Sequence, residues 1–374
     1  MTELTYLTFD SLAEGVARSQ VLPYVERFGK RSLDVFLHTM EKAGADHETA
    51  RQLERAGVRW IPHPFGRHGP IGGAGRVARG AGMVRGAPLV HARSDLPAAS
   101  ALLAGCRRWV WDMRSLWADQ RIALGSLRPG SPEERTLRRI ERSAARRSSA
   151  IVTLTAAAID VLRSRHGPNV AAKAHVVPTC VDLGLFTPTP LPQERTIRLV
   201  FSGTLNRFYD LPLMLSLASF VERRRPVQFS VVTPGPTSWE EELAAGRVDR
   251  VVGTPTDMAE HVARSHAGLS VCRADAGVSL RAAAPTKLAE FLASGRPVVI
   301  NPGLGDMDDL IERFGCGVVV HGREEDHLAA AADALEALID DPETPARCRQ
   351  AAEAHFDIEK GVDRLLAIYR SIDG

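Results

Sequence analysis

The 374-residue sequence offers little for cross-linking or metal ligation. Its five cysteines, Cys106, Cys180, Cys272, Cys316 and Cys348, are odd in number, scattered and nowhere spaced C-x-x-C. That pattern argues against a zinc cage or a disulfide framework and fits a reducing compartment. Neither sign of charge is in excess: 47 Lys and Arg against 45 Asp and Glu leave +2, far from the balance of a dedicated nucleic-acid binder. No apolar run approaches the ~18 residues of a membrane span. The opening MTELTYLTFD, with acids at Glu3 and Asp10, lacks the basic and apolar regions of an export signal. A cytoplasmic protein is expected, with no nucleic-acid partner, no membrane span and at most peripheral membrane contact; its oligomeric state is left open.

What is present is an ordinary globular composition, 44% apolar and 25% charged, in a chain long enough for two cores. Short apolar runs alternate with segments of helical period, the pattern of βα units feeding a parallel sheet. Strands are expected at LTYLTF, LDVFLH, PLVHAR, RWVWDM, AIVTLT and AHVVPT, then at IRLVFSG, VQFSVVT, VDRVVG, AGLSVC, RPVVIN and CGVVVH. The fold class is therefore α/β, with two Rossmann-like, doubly wound halves. Three prolines within FTPTPLPQERT mark a semi-rigid linker, and two such sheets would face a central cleft across it. The expected division is a first Rossmann-like domain over 1–188, a second over 189–355, and a closing helix over 356–374 that packs back on the first domain.

The segment PTKLAEFLASGRPVVIN is the most informative. Thr286 is placed to cap a helix that Pro285 precedes, and Gly295 is placed to end it before Arg296-Pro297 redirects the chain into a strand. Leu288 and Leu292 share a core-facing stripe, while Lys287 and Glu290 share a different face. A helix start at the carboxyl edge of a parallel sheet presents free N–H groups and positive dipole to an anion, and Lys287 adds a full charge. Glu290, one turn on, suits a pair of ribose hydroxyls. In isolation a K-x-x-E pair is more often a solvated ion pair, so its meaning depends on context.

The wider context resembles the family-four glycosyltransferases of the GT-B fold. PTKLAEFLASGRPVVINPGLGD resembles their donor-binding segment, EGVARSQVLPYVERF the first glycine loop and helix, HVVPTCVDLGLF the end of the N-terminal domain, and LVFSGTL the opening strand of the second. The resemblance implies a retaining glycosyltransferase that moves a sugar from a nucleoside diphosphate sugar, UDP- or GDP-linked, to a glycan, lipid-linked or small-metabolite acceptor, without a metal or other cofactor. It further implies that the domain over 1–188 binds the acceptor and the domain over 189–355 the nucleotide sugar, donor binding falling to Gly203, Arg207, Pro285, Thr286, Lys287 and Glu290, with Arg207 and Lys287 meeting the charge of the leaving diphosphate. The family's first acid, eight residues before Glu290, is Ala282 here, and the arginine that often follows the loop glycine is Thr204. These departures keep two alternatives open: a nucleotide-sugar epimerase or hydrolase on the same fold, and a catalytically weak nucleotide-binding protein.

In the N-terminal half the candidates stand at strand ends: Gly15 and Ser19 after TFDSLAE, His91 and Arg93 in LVHARSD, Asp112 and Arg114 in VWDMRS. Asp112 takes the place where many relatives carry a histidine near the reacting sugar, which makes it the third catalytic candidate. An Asp beside arginines is equally a structural ion pair. GGAGRVARGAGMVRGAP contains no true G-x-G-x-x-G and is expected as a loop and weak helix. The D-x-D within Asp306 to Asp309 is expected to start a helix rather than hold a metal, and His261 and His266, five apart, do not share a helix face. TLRRIERSAARRSS sets Leu137, Ile140 and Ala144 against Arg138, Arg139, Arg142 and Arg146, a basic amphipathic helix whose default is a solvated face.

Overall fold

The structure, a computed structural model, describes residues 3–233, 235, 237–245, 248–252 and 257–373. The chain divides into two compact units: Met1–Pro178 together with Ile358–Gly374, and Thr179–Asp357.

The first unit is built on seven strands: β1 Glu3–Leu7, β2 Asp34–Glu41, β3 Val58–Pro64, β4 Leu89–Arg93, β5 Trp109–Met113, β6 Ala150–Thr153 and β7 Ala174–Val176. All pair in parallel, in the order β3-β2-β1-β4-β5-β6-β7. Helices cover both faces, so β4 and β5 are buried at every residue, the polar His91, Arg93 and Asp112 included. Strand order reverses between β1 and β4, the switch point where open α/β sheets bind ligands. Ser94, directly after β4, is held at φ +75°, a strained conformation for a serine, and its N–H bonds the carbonyl of Asp112 at 2.9 Å. The C-terminal helix Ile358–Asp373 belongs to this unit, tied by Arg27 to Glu359 at 2.6 Å and by Tyr369 to His91.

The second unit carries β8 Ile197–Ser202, β9 Val227–Thr233, β10 Val248–Val252, β11 Ala267–Leu269, β12 Val298–Ile300 and β13 Gly317–Val319, all parallel, in the order β10-β9-β8-β11-β12-β13. Ile197, Leu199 and Phe201 of β8 pack in one core with Leu211, Met214 and Leu217 of helix Leu211–Glu222 and with Leu328 and Leu335 of helix Glu325–Asp340. Asp210 starts the former helix by accepting from Leu213 N at 3.0 Å. Gly253, which closes the expected VDRVVG run, lies outside the described residues.

Four local expectations change. A seventh strand, β3, appears in VRWIPHP, where Pro62 and Pro64 had masked it. It is the sheet edge, the one place a strand accommodates proline. The glycine-rich stretch is a full helix, Gly69–Val84, packed against helix Asp95–Ala104. Its glycines permit that approach, since a Cβ on Gly80 would lie 2.6 Å from Ser100 Oγ. Thr286 is not a cap: Pro285 holds the N-cap position of helix Thr286–Ala293, and no side chain bonds the first turn. Finally, the segment before the prolines is fastened to the second unit. Thr179 bonds the carbonyl of Ala284, Val181 bridges Asp357, and Arg349 donates to the carbonyls of Leu183 and Phe186 at 3.2 and 2.8 Å. The division thus precedes the linker, and Arg296, fully buried, grips the linker itself through the carbonyls of Thr189 and Pro190 at 2.6 and 3.1 Å.

Candidate functional site

In the second unit the chain leaves β8 through Gly203, whose φ of +91° is left-handed and suits only glycine well. A Cβ there would sit 3.8 Å from Lys287 Cε, so the loop backbone and this side chain are neighbours. Lys287 stands in the first turn of helix Thr286–Ala293 and is only 7% exposed. Its ammonium donates to the Tyr209 hydroxyl at 2.7 Å and lies 4.3 Å from the Phe201 ring centroid and 4.1 Å from that of Tyr209. Burial in this aromatic seat pushes the Lys287 pKa down to about 8. Glu290, one turn on and half-buried, is pushed up to about 7 by burial, against the pull of Lys287. Its carboxylate makes no hydrogen bond among the described residues. Lys287 and Glu290 therefore do not form the open solvated pair that K-x-x-E usually makes in isolation; they are held under cover, with the N–H groups of the uncapped helix start beside them.

Not every expected donor residue joins this group. The Arg207 guanidinium lies 3.9 Å over the Trp239 ring and pairs with Glu242 at 3.2 Å. Beside it opens a cavity of about 280 Å³ lined by Asp210, Trp239, Arg273, Asp275 and Arg323, apart from Lys287 and Glu290. Ala282, where the family pattern has an acid, is 1% exposed at the end of the 3-10 segment Ala274–Ala282, so a carboxylate there would be buried. Asp306 begins helix Met307–Phe314 without a side-chain cap, and Asp308 instead accepts from Gly303 N at 2.7 Å. Among the described residues no three His, Cys, Asp or Glu side chains gather as a metal site.

In the first unit the strand-end candidates converge. His91 in the middle of β4 stacks on Tyr6 of β1 with centroids 4.3 Å apart, and its Nε2 faces Asp112 Oδ2 at 3.2 Å. An ionised carboxylate only accepts, so Nε2 carries the proton. Nδ1 is then the acceptor for the Tyr369 hydroxyl, 2.8 Å away. Burial lowers the His91 pKa, which keeps this ring neutral. Arg93 bonds Asp112 and Asp10 at 3.3 and 3.2 Å, and Arg114 bonds Asp112 and Gln20, both at 3.3 Å. Burial alone would raise the Asp112 carboxyl, but Arg114, with the hydrogen bond from His91, holds it well below the usual carboxylate range. Gly15 opens helix Gly15–Gln20 on the surface, with nothing within 4 Å of a Cβ placed on it, and Ser19 Oγ turns back to the Gly15 carbonyl at 2.9 Å.

Residues 15–180 match the family model described as a glycosyl transferase 4-like domain. The chain carries a glycosyltransferase domain within a GT-B fold. Sucrose-phosphate synthase from Thermosynechococcus elongatus matches with a TM-score of 0.75 at 15% identity, over 100% of this chain and 99% of the other. Anabaena HepE in complex with UDP matches at 0.70 and 16% identity, over 99% and 100%. A Listeria monocytogenes protein described as a UDP-N-acetylglucosamine 2-epimerase matches at 0.64 and 13% identity, over 98% and 95%. At these identities the likeness is one of fold. No curated protein matches the sequence. Among the described residues no helix is long and apolar enough to cross a membrane.

Sequence reasoning missed Tyr209, Phe201, Tyr369 and Tyr6. Tyr6, Phe201 and Tyr369 read as core and Tyr209 as part of a loop, and only the fold shows that the hydroxyls of Tyr209 and Tyr369 end on Lys287 and His91.

Proposed function

We propose that this glycosyltransferase moves a sugar, with retention, from a nucleoside diphosphate sugar held by the second unit to an acceptor recognised by the first, with UDP the first donor nucleotide to test and GDP the next. The carrying observation is the covered Lys287 ammonium at an uncapped helix start, beside Gly203 and one turn from Glu290. A buried, depressed lysine is a poor structural ion but a strong receptor for an anion, because a diphosphate supplies the counter-charge that its seat lacks. Glu290 would accept the ribose hydroxyls, and Gly203, Pro285 and Thr286 would bring backbone to the phosphates. Arg207, once turned from Glu242, would add the second positive charge at the leaving group. That HepE was solved with UDP and with UDP-glucose supports the donor class.

On the acceptor side, Asp112 already has its oxygens engaged by Arg93, Arg114 and His91. Its role here is to fix the charge and orientation of Arg114 and His91 rather than to take a proton. Gly15 and Ser19 would line the approach, and no metal is invoked. The test is calorimetric titration of UDP and GDP into wild type and into Lys287→Met and Glu290→Gln, followed by product analysis with a candidate acceptor pool. Tight binding that both variants weaken supports the reading; wild-type affinity in both would refute the site. Donor turned over or epimerised without acceptor would favour the epimerase or hydrolase alternative, and binding with no turnover the catalytically weak one, to which the buried Ala282 gives weight.

A further inference from the structure

The basic helix of the first unit divides its arginines into two sets. Helix Pro132–Arg147 turns Leu137, Ala144 and Ala145 inward. Arg138, on its flank, is fully engaged with Asp119 at 2.6 Å and Glu134 at 3.4 Å. Arg165 and His166 from the neighbouring helix Ala156–His166 take up Glu141 at 3.5 and 2.9 Å, and Glu133 pairs with Arg121 at 2.6 Å. Every acid of this helix is thereby neutralised from its inner side. Arg147, the last residue of the helix, is exposed beside the second set. That set, Arg135, Arg139, Arg142 and Arg146, is exposed, and among the described residues no side chain of the four takes part in an ion pair or hydrogen bond. Their spacing of four, three and four residues places them in one line, which extends over ~16 Å at 1.5 Å per residue.

We infer that this line of arginines docks the protein on an anionic lipid surface. Four like charges without counter-ions repel one another and are retained at a cost, which an opposing negative surface removes. The line has charge, but among the described residues its helix has no aromatic residue and exposes no large apolar side chain. It therefore suits a diffuse, flat negative surface rather than a stacked nucleic acid or an inserted helix. Helices of a parallel α/β sheet run against the strands, so Arg135 lies toward the carboxyl edge where His91, Asp112 and Arg114 stand. The docked face then reaches the level of the candidate acceptor site in the same unit. The inference needs no donor or transfer activity and stands or falls separately from them.

The test is co-sedimentation of the full chain with phosphatidylcholine vesicles, with and without phosphatidylglycerol, across a salt series. Wild type is expected to sediment only with the anionic vesicles and to be released as salt rises. Each Arg→Gln change in the line should weaken partitioning about five-fold. The variant with Arg135, Arg139, Arg142 and Arg146 all changed to Gln should remain in the supernatant. A charge-matched control with Arg51, Arg55, Arg313 and Arg364, all exposed elsewhere, changed to Gln should still sediment. Thermal melts of both variants establish that they fold. Equal binding to neutral vesicles, unaltered binding by the line variant, or equal loss in the control would overturn the inference. So would retention on a soluble acidic polysaccharide without any vesicle binding, which would assign the line to an acidic polymer.

Discussion

Replacing Lys287 by Met should raise stability and lower nucleotide affinity in the same molecule. The side chains have similar length, so the aromatic seat of Phe201 and Tyr209 stays filled. The fall of the Lys287 pKa from 10.5 to about 8 corresponds to a charged form disfavoured by about 3 kcal/mol in the folded state. Loss of the bond to Tyr209 and of the ring contacts offsets about 2 kcal/mol of that, leaving a net gain of about 1 kcal/mol near pH 7. The sign with pH follows from linkage. The folded lysine releases its proton before the unfolded one, so wild-type stability rises as pH climbs from about 8 toward 10.5, and its deficit relative to the variant closes there. For UDP, loss of one charged hydrogen bond of about 1.5 to 3 kcal/mol predicts binding about ten- to a hundred-fold weaker. Urea denaturation at several pH values and calorimetric titration read the two effects. A variant that is less stable at neutral pH and binds UDP as wild type does would refute both the strained-lysine argument and the donor site.

Three further outcomes are expected. UDP affinity should be bell-shaped in pH, rising as Glu290 ionises near 7 and falling as Lys287 deprotonates above about 8; Glu290→Gln should lose the acid limb, as titrations across pH would show. Tyr369→Phe leaves His91 Nδ1 buried without its donor and should cost about 1 to 3 kcal/mol in chemical denaturation, with nucleotide affinity unchanged because the second unit is untouched. Arg296→Lys keeps the charge but loses the planar fork that reaches Thr189, Pro190 and Ala263 together, and should cost about 1 to 3 kcal/mol; an unaltered denaturation midpoint would show that the linker is held by other contacts.

The sheets were legible in the sequence because their strands are largely buried and read as short, mainly apolar runs, as in VFL or VVI. β3 was not, because an edge strand tolerates the very prolines that argue against a strand. Gly295 was legible as a helix stop, and its φ of +75° bears this out. Thr286 misled because a threonine before a helical run reads as a cap; the chain instead enters through Pro285, one residue earlier. Gly69–Val84 was hidden because glycine weakens a helix taken alone, while its gain, close approach to Ser100, is a tertiary quantity. The site was legible as residue types but not as an environment. Lys287 reads the same in sequence whether solvated or buried, and the difference rests on Phe201 and Tyr209, both distant in the chain.

The two charge clusters are built on opposite principles, and the contrast bears on which of them receives a ligand. Around Asp112 the accounting is closed: one carboxylate meets Arg93, Arg114 and His91, Arg93 also holds Asp10, and Tyr369 satisfies the remaining ring nitrogen. Such a network resists change, since removing one member strands the others in a low-dielectric interior. It therefore presents neighbouring groups in a fixed orientation rather than exchanging partners during a reaction. Around Lys287 the accounting is open. The ammonium has one hydroxyl and two ring faces but no carboxylate bonded to it, and Glu290 is held above the ordinary range of its pKa. An arriving diphosphate with its ribose would complete both groups at once, returning the lysine toward full charge and the carboxyl toward ionisation. Stability withheld in the empty protein thus becomes binding free energy for the ligand, so the open cluster, not the closed one, should couple nucleotide binding to pH.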